Sequence, residues 1–412
     1  MIFSFFCPFR MFNRILIVFF LITGNLFLGM TFLPVPVQAQ RVVLKDDISE
    51  PRKKETSSSQ KSGNKKPKKT SSKSEPKPEA KLSWGTYVQT PSFKRSSSRK
   101  TKKSSKKEEK TSSTVKERNL ERMAHLRKTG ILLWPEYSER ELNIIQAQQM
   151  DYLEKIRASF KKLGDSLRYY ETDHFYFVTD ATEGIARDCC LYLEAMYAKL
   201  GDIFGIPADA QFWRGKCTVI AFNERNDFLE FEKRFFDHTV RGSTAGLAHT
   251  GRSGDVVISL YFRDITTVEN RWAFIGVLVH ETTHGFMHRY KSSEKLPLWL
   301  EEGIADYMAG TIVVKDKQVS LKQKSALDVM KKTRSLGGIM SAQRNLEVWQ
   351  YGVASGMVTY LLRVKSGGVG KIVDLIKDGK EWPEALKEVY DWTPEEFIQN
   401  FGKTYKIQGL QP

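Results

Sequence analysis

From residue 138 onward, apolar residues recur with the periods of regular structure, and the order of those periods sets the expected architecture. Leu142, Ile145, Met150, Leu153, Ile156 and Phe160 fall at helical spacing. Ser138, with Glu141 three residues on, forms a capping box at the start of that helix, and Gly164 lies near its end. Residues 174–180 are aromatic and β-branched and predict a strand, followed by an amphipathic helix over 183–204. A second strand at 216–222, a helix at 224–235 and a strand at 256–261 come next, with a Gly-rich hairpin expected over 241–254. Residues 271–279 are almost unbroken apolar sequence, so the helix they open is buried on most sides. Pro297 opens another helix, 312–321 reads as a short hairpin or connector, an apolar helix starts near Tyr351, and two small helices follow from Pro383. Strands first and helices afterwards predict an α+β fold: a small mixed or largely antiparallel sheet, then a mostly helical half, with a cleft between them.

The first 118 residues carry no such periodicity and change the picture of the domains. A length of 412 residues predicts two or three of them. Residues 1–39 are apolar, with Arg10 and Arg14 as their only charges; a hydrophobic run at 15–33 is followed by Pro34 and the small-residue site Val37, Gln38, Ala39. That is the pattern of a secretory signal removed after Ala39, although the run is also long enough to serve as a membrane anchor. Residues 40–118 form a Lys- and Ser-rich segment; from Arg41 to Arg118 it holds 24 Lys and Arg against 9 Asp and Glu. With the two arginines ahead of it, this segment accounts for the whole net charge of +17, so residues 119–412 are balanced. Too little apolar side chain is present to offset chain entropy, which predicts disorder, except for an apolar island at 82–93 with Trp84 and Tyr87 that could dock on a folded surface. The charge suits an anionic cell-envelope polymer or a membrane surface. Aromatics are not interleaved with it, which argues against nucleic acid. The expected location is secreted or cell envelope. Cys189, Cys190 and Cys217 remain once Cys7 leaves with the signal; a bridge from Cys217 to one of the pair and three buried thiols are both open.

The chemistry concentrates in Val279, His280, Glu281, Thr282, Thr283, His284, Gly285, which fits HExxH. Residues four apart share a helix face about 6 Å apart along the axis, so His280 and His284 can direct ring nitrogens at one metal ion. Glu281, about 100° round the helix, can hold its carboxylate beside a water without being a ligand. Zinc suits such a mixed nitrogen and oxygen site. A catalytic zinc needs a third ligand and an open position. Glu302, with 17 residues between it and His284, can be presented by the helix after Pro297. Asp306 shares the face of Glu302 and could accept the far ring N–H of a ligating histidine; Glu301 is the alternative third ligand. His288 lies about 12 Å along the helix from His280, too far to join the same ion.

The pairing of HETTH with Trp299, Leu300, Glu301, Glu302, Gly303, Ile304, Ala305, Asp306, Tyr307 resembles the gluzincin metallopeptidases, and within them the peptidase MA-like domains of secreted bacterial proteins. The resemblance implies His280, His284 and Glu302 as zinc ligands, Glu281 as general base and Asp306 as the carboxylate behind a ligand. The strand and helix opening near residue 170 are similar to those domains too. The stretch from Tyr351 to Ser355 resembles their helix start after the zinc site, which would make Tyr351 a phenol for the oxyanion; packing at a helix start is the plainer role. The resemblance also implies a sheet edge at 245–249 or 255–261 to which an extended peptide adds a strand. His249, in that region, is either a contact of the substrate or of the transition-state oxyanion, or a plain surface histidine. The expected activity is zinc-dependent hydrolysis of peptide bonds. A zinc-stabilised envelope binding module without turnover, and a zinc amidase acting on cell-wall peptides, are the alternatives.

Overall fold

The computed structural model of the chain describes residues 85–87, 134, 137–207, 210–242, 244–262 and 265–412. The signal or anchor expected at 1–39 and nearly all of the basic segment at 40–118 lie outside the described residues. Among the described residues no helix is long and apolar enough to cross a membrane.

Among the described residues six strands form one mixed sheet in the order β1 (Gly85–Tyr87), β2 (Arg168–Glu171), β3 (Phe175–Thr179), β4 (Cys217–Phe222), β6 (Val256–Tyr261) and β5 (Gly246–Thr250). The pairs β1–β2, β3–β4 and β4–β6 are parallel, and β2–β3 and β5–β6 are antiparallel. The largely antiparallel alternative is therefore corrected. The helices are α1 (Glu139–Ser159), α2 (Glu183–Phe204) and α3 (Arg225–Phe236), and the physical cause lies in two crossovers: α2 carries the chain from β3 back to the start of β4, and α3 together with β5 carries it from β4 back to the start of β6, which makes β3, β4 and β6 parallel. Every residue of β3 and β4 is buried, as expected of parallel strands covered on both faces. Strand β2 was not expected; it has four residues, of which only Tyr170 is buried. Strand β1 lies in the apolar island at 82–93, the stretch excepted from the expected disorder, and pairs Gly85 with Tyr169.

Leu153 and Ile156 of α1 and Phe228 and Phe231 of α3 share a core with Val178, Ile220 and Phe222 on one face of the sheet. The other face belongs to α2 and to α4 (Val268–Arg289), whose Ile275, Leu278 and Phe286 share a core with Phe177, Val219 and Ile258. Phe286 stacks on Phe212 with ring centroids 4.1 Å apart; burying such a ring contributes about 2–3 kcal/mol to holding α4 on the sheet. After α4 the chain is helical: α5 (Leu298–Ile312), α6 (Gln318–Thr333), α7 (Val348–Val364), α8 (Gly368–Lys377), α9 (Trp382–Tyr390) and α10 (Pro394–Thr404). The architecture is α+β and mostly helical. The expected hairpin or connector at 312–321 is corrected, since α6 begins at Gln318; only Val319, Ala326 and Met330 of that helix are buried, which hid its period. Helix α8 was likewise not expected. Cys189, Cys190 and Cys217 are buried free thiols, which removes the disulfide alternative.

Candidate metal centre

Helix α4 opens with Thr267 as its cap, accepting the N–H of Asn270, and runs apolar into the HExxH turn. His280, Glu281 and His284 are 5%, 1% and 0% exposed. Pro297 ends the loop after α4, and α5 starts at once, placing Glu302 and Asp306 opposite the two histidines. His280 Nε2 lies 3.1 Å from His284 Nε2, and Glu302 Oε2 lies 3.3 Å from the first and 3.5 Å from the second. A tetrahedral ion bound at about 2.0–2.1 Å sets its ligands roughly 3.4 Å apart, so these three atoms fit one zinc. They are also the one group among the described residues whose donor atoms converge for a metal, all within 4.8 Å of one another. Glu302 Oε2 is buried with no hydrogen-bond donor, as an oxygen meant for a cation would be.

Each histidine has a carboxylate behind it, and only that of His280 is hydrogen-bonded to its histidine. His280 Nδ1 meets Asp306 Oδ1 at 2.9 Å, and both oxygens of Asp306 accept from Lys322 Nζ at 2.9 Å. His284 Nδ1 faces Glu301 Oε1 at 3.4 Å, and the same oxygen meets His288 Nε2 at 2.7 Å. Glu301, the alternative ligand, thus turns to the far side of His284. Burial works against charge at every one of these groups, yet the pairings prevail. The hydrogen bond to Asp306 and the neighbouring Glu302 carboxylate raise His280, and the charge of Glu302 raises His284 well above its ordinary value. Their positive charge in turn lowers Glu302, while Lys322 and His280 hold Asp306 down at about 2.

Glu281 behaves differently. Burial raises its carboxyl, and neither oxygen has a hydrogen-bond partner. Strand β5 passes so close that a Cβ on Gly246 would lie 2.8 Å from Glu281 Cγ, which requires glycine there. Tyr351 sits in the first turn of α7, 5% exposed. Burial and the charges of Glu302, Asp306 and Glu281 raise its phenol, so the ring lies within electrostatic reach of the centre.

His249 is not brought to the site. Alternation along β5 turns Gly246 towards Glu281 and His249 to the other face. There His249 Nε2 lies 3.0 Å from buried Glu232 Oε1 and its ring stacks on Phe236 at 3.7 Å. His174 pairs with Glu194 at 2.6 Å. Of the two edge alternatives, 245–249 corresponds to the edge strand β5, and β6 lies inside the sheet. Sequence reasoning missed Lys322, because it sits on the helix whose period was hidden, and missed the carboxylate role of Glu301 behind His284. The spacing of His284 and His288 on one face was the available signal for the latter.

Comparison with models of protein families gives no match, and comparison with curated protein sequences gives none either.

Proposed function

We propose that the chain is a zinc-dependent hydrolase of peptide bonds, a metallopeptidase of gluzincin type with a peptidase MA-like domain. The observation that carries this reading is the buried convergence of His280, His284 and Glu302 beside a carboxylate, Glu281, that has no hydrogen-bond partner. Zinc at these three ligands would supply Lewis-acid polarisation of a carbonyl and an acidified water. Glu281 accepts the proton of the attacking water and passes it to the leaving amine; its raised carboxyl suits that exchange. Asp306 holds the His280 imidazole through a hydrogen bond and Glu301 faces that of His284, both with Nε2 turned inward. Tyr351, whose phenol keeps its proton at physiological pH, can donate to the developing oxyanion. The outer edge of β5 offers backbone N–H and C=O groups to an extended peptide. On this reading the chain works outside the cytoplasm, and its basic segment keeps the domain near an anionic envelope polymer or membrane surface.

The test sets the full chain beside Glu281→Gln and measures zinc content together with cleavage of a diverse peptide library. One zinc in both, with cleavage by the wild type alone, is expected. Zinc in both without cleavage in either turns the reading to the binding module or the cell-wall amidase, and absence of zinc from both overturns it.

A further inference from the structure

Lys322 has no part in the chemistry described so far, yet it touches the centre at two points. Its ammonium is bonded to both oxygens of Asp306, at 2.9 Å each, while Oδ1 of the same carboxylate holds His280 Nδ1 at 2.9 Å. A carboxylate gripped through one oxygen can turn about its bond to Cβ; one gripped through both cannot without losing a charged contact. The same ammonium stands 5.1 Å from the centre of the Tyr351 ring. The backbone of Lys322 is fixed as firmly as its side chain. Helix α7 comes so close that a Cβ on Gly352 would lie 2.1 Å from the Lys322 carbonyl oxygen. The Lys322 side chain is 11% exposed, and Asp306, at 2%, is more deeply buried still. A carboxylate so buried needs a permanent counter-charge.

We infer that Lys322 is a positioning residue of the metal centre: it locks Asp306 behind His280, so that Nε2 of this histidine faces the ion, and it joins that lock to the Tyr351 ring. The inference rests on the metal centre proposed above. It concerns the chain's own residues and is read in metal affinity before any activity is considered. Outer partners of a metal-bound histidine typically change affinity or activity by about 10–100-fold, and an effect in that range is expected here.

The experiment measures Zn2+ affinity by competition with a chelator, and the visible spectrum of the Co2+-loaded full chain, for Lys322→Met, Asp306→Asn, the double variant and Lys324→Met. Lys324 is an exposed neighbour on the same helix and serves as the control. Lys322→Met should loosen zinc about 10–100-fold and alter the cobalt spectrum. The double variant should bind no more weakly than Asp306→Asn alone, because the lysine acts through the aspartate. Lys322→Arg should recover most of the affinity. If Lys322→Met fails to fold, Lys322→Gln, which keeps a donor and loses the charge, carries the same expectation. Unchanged or tighter zinc binding with an unaltered spectrum, or fully additive losses in the double variant, overturns the inference. Zinc uptake by the wild type with no effect of Lys322→Met sinks this inference alone, whereas a wild type that takes no zinc sinks the peptidase reading and this one with it.

Discussion

His280 and His284 are one helical turn apart and identical in type, yet their surroundings are built from different materials. Behind His280 stands Asp306 at 2.9 Å, held by a lysine through both oxygens. Behind His284 stands Glu301 at 3.4 Å, held by His288, which is 31% exposed and carries charge only when protonated. One arm of the centre is fixed by a permanent cation in a dry environment, and the other is fixed by a group open to solvent. The lesson is that an HExxH pair is not symmetric: its first histidine is the rigid one here, and its second is backed by a contact that the medium can alter.

Removing what both arms share should have the largest effect. Glu302→Ala takes away the carboxylate between the two histidines and is expected to lower zinc affinity by more than about 100-fold, beyond the range of outer partners; retention of zinc through chelator competition would show that Glu302 is not a ligand. The arms should then separate. Asp306→Asn should cost about 10–100-fold in zinc affinity, and Glu301→Gln only roughly threefold to tenfold, because its contact is longer and its partner partly solvated. Equal or reversed losses would break the comparison.

The smallest effect is on the stability of the metal-free chain. His280 and His284 are raised above their ordinary 6.5, so they stabilise the fold fully below that pH, and this contribution is lost as pH rises through their folded values. Glu301, Glu302 and Asp306 are lowered, so their contribution is present above about pH 4.5 and is lost as pH falls through their folded values. Melting of the metal-free chain should therefore be highest in mildly acidic buffer and fall by about 2–5 °C as the pH passes into the alkaline range. Glu301→Gln should flatten that fall through His284, while a slope unchanged in this variant would assign the effect to the His280 arm.

The centre was far more legible than the frame around it, for a local reason. His280, Glu281 and His284 lie within five residues, and Glu302 and Asp306 share one turn, so helical geometry alone relates them. What carries Lys322 to Asp306 is the packing of α6 against its neighbours, and a helix with three buried positions gives almost no periodic signal. Strand β2 shows the same limit: four residues with one buried do not announce a strand, and its place is set by pairing with β3, from Arg168 opposite Thr179 to Glu171 opposite Tyr176. His249 was misjudged for a subtler reason. Its strand was anticipated, but a register that turns Gly246 to helix α4 necessarily turns His249 away, and the register follows from pairing with β6.

The three thiols lead somewhere else. Cys189 and Cys190 on α2 and Cys217 on β4 are buried, and burial raises each thiol. Only the thiolate reacts with alkylating reagents, so all three are silent in the folded chain and become reactive when α2 lifts from the sheet. The rate of alkylation is then a clock for that opening. The same exposure would give the unfolded chain soft ligands for the proposed zinc, which would then stabilise the fold by less than its affinity for the native site alone would give.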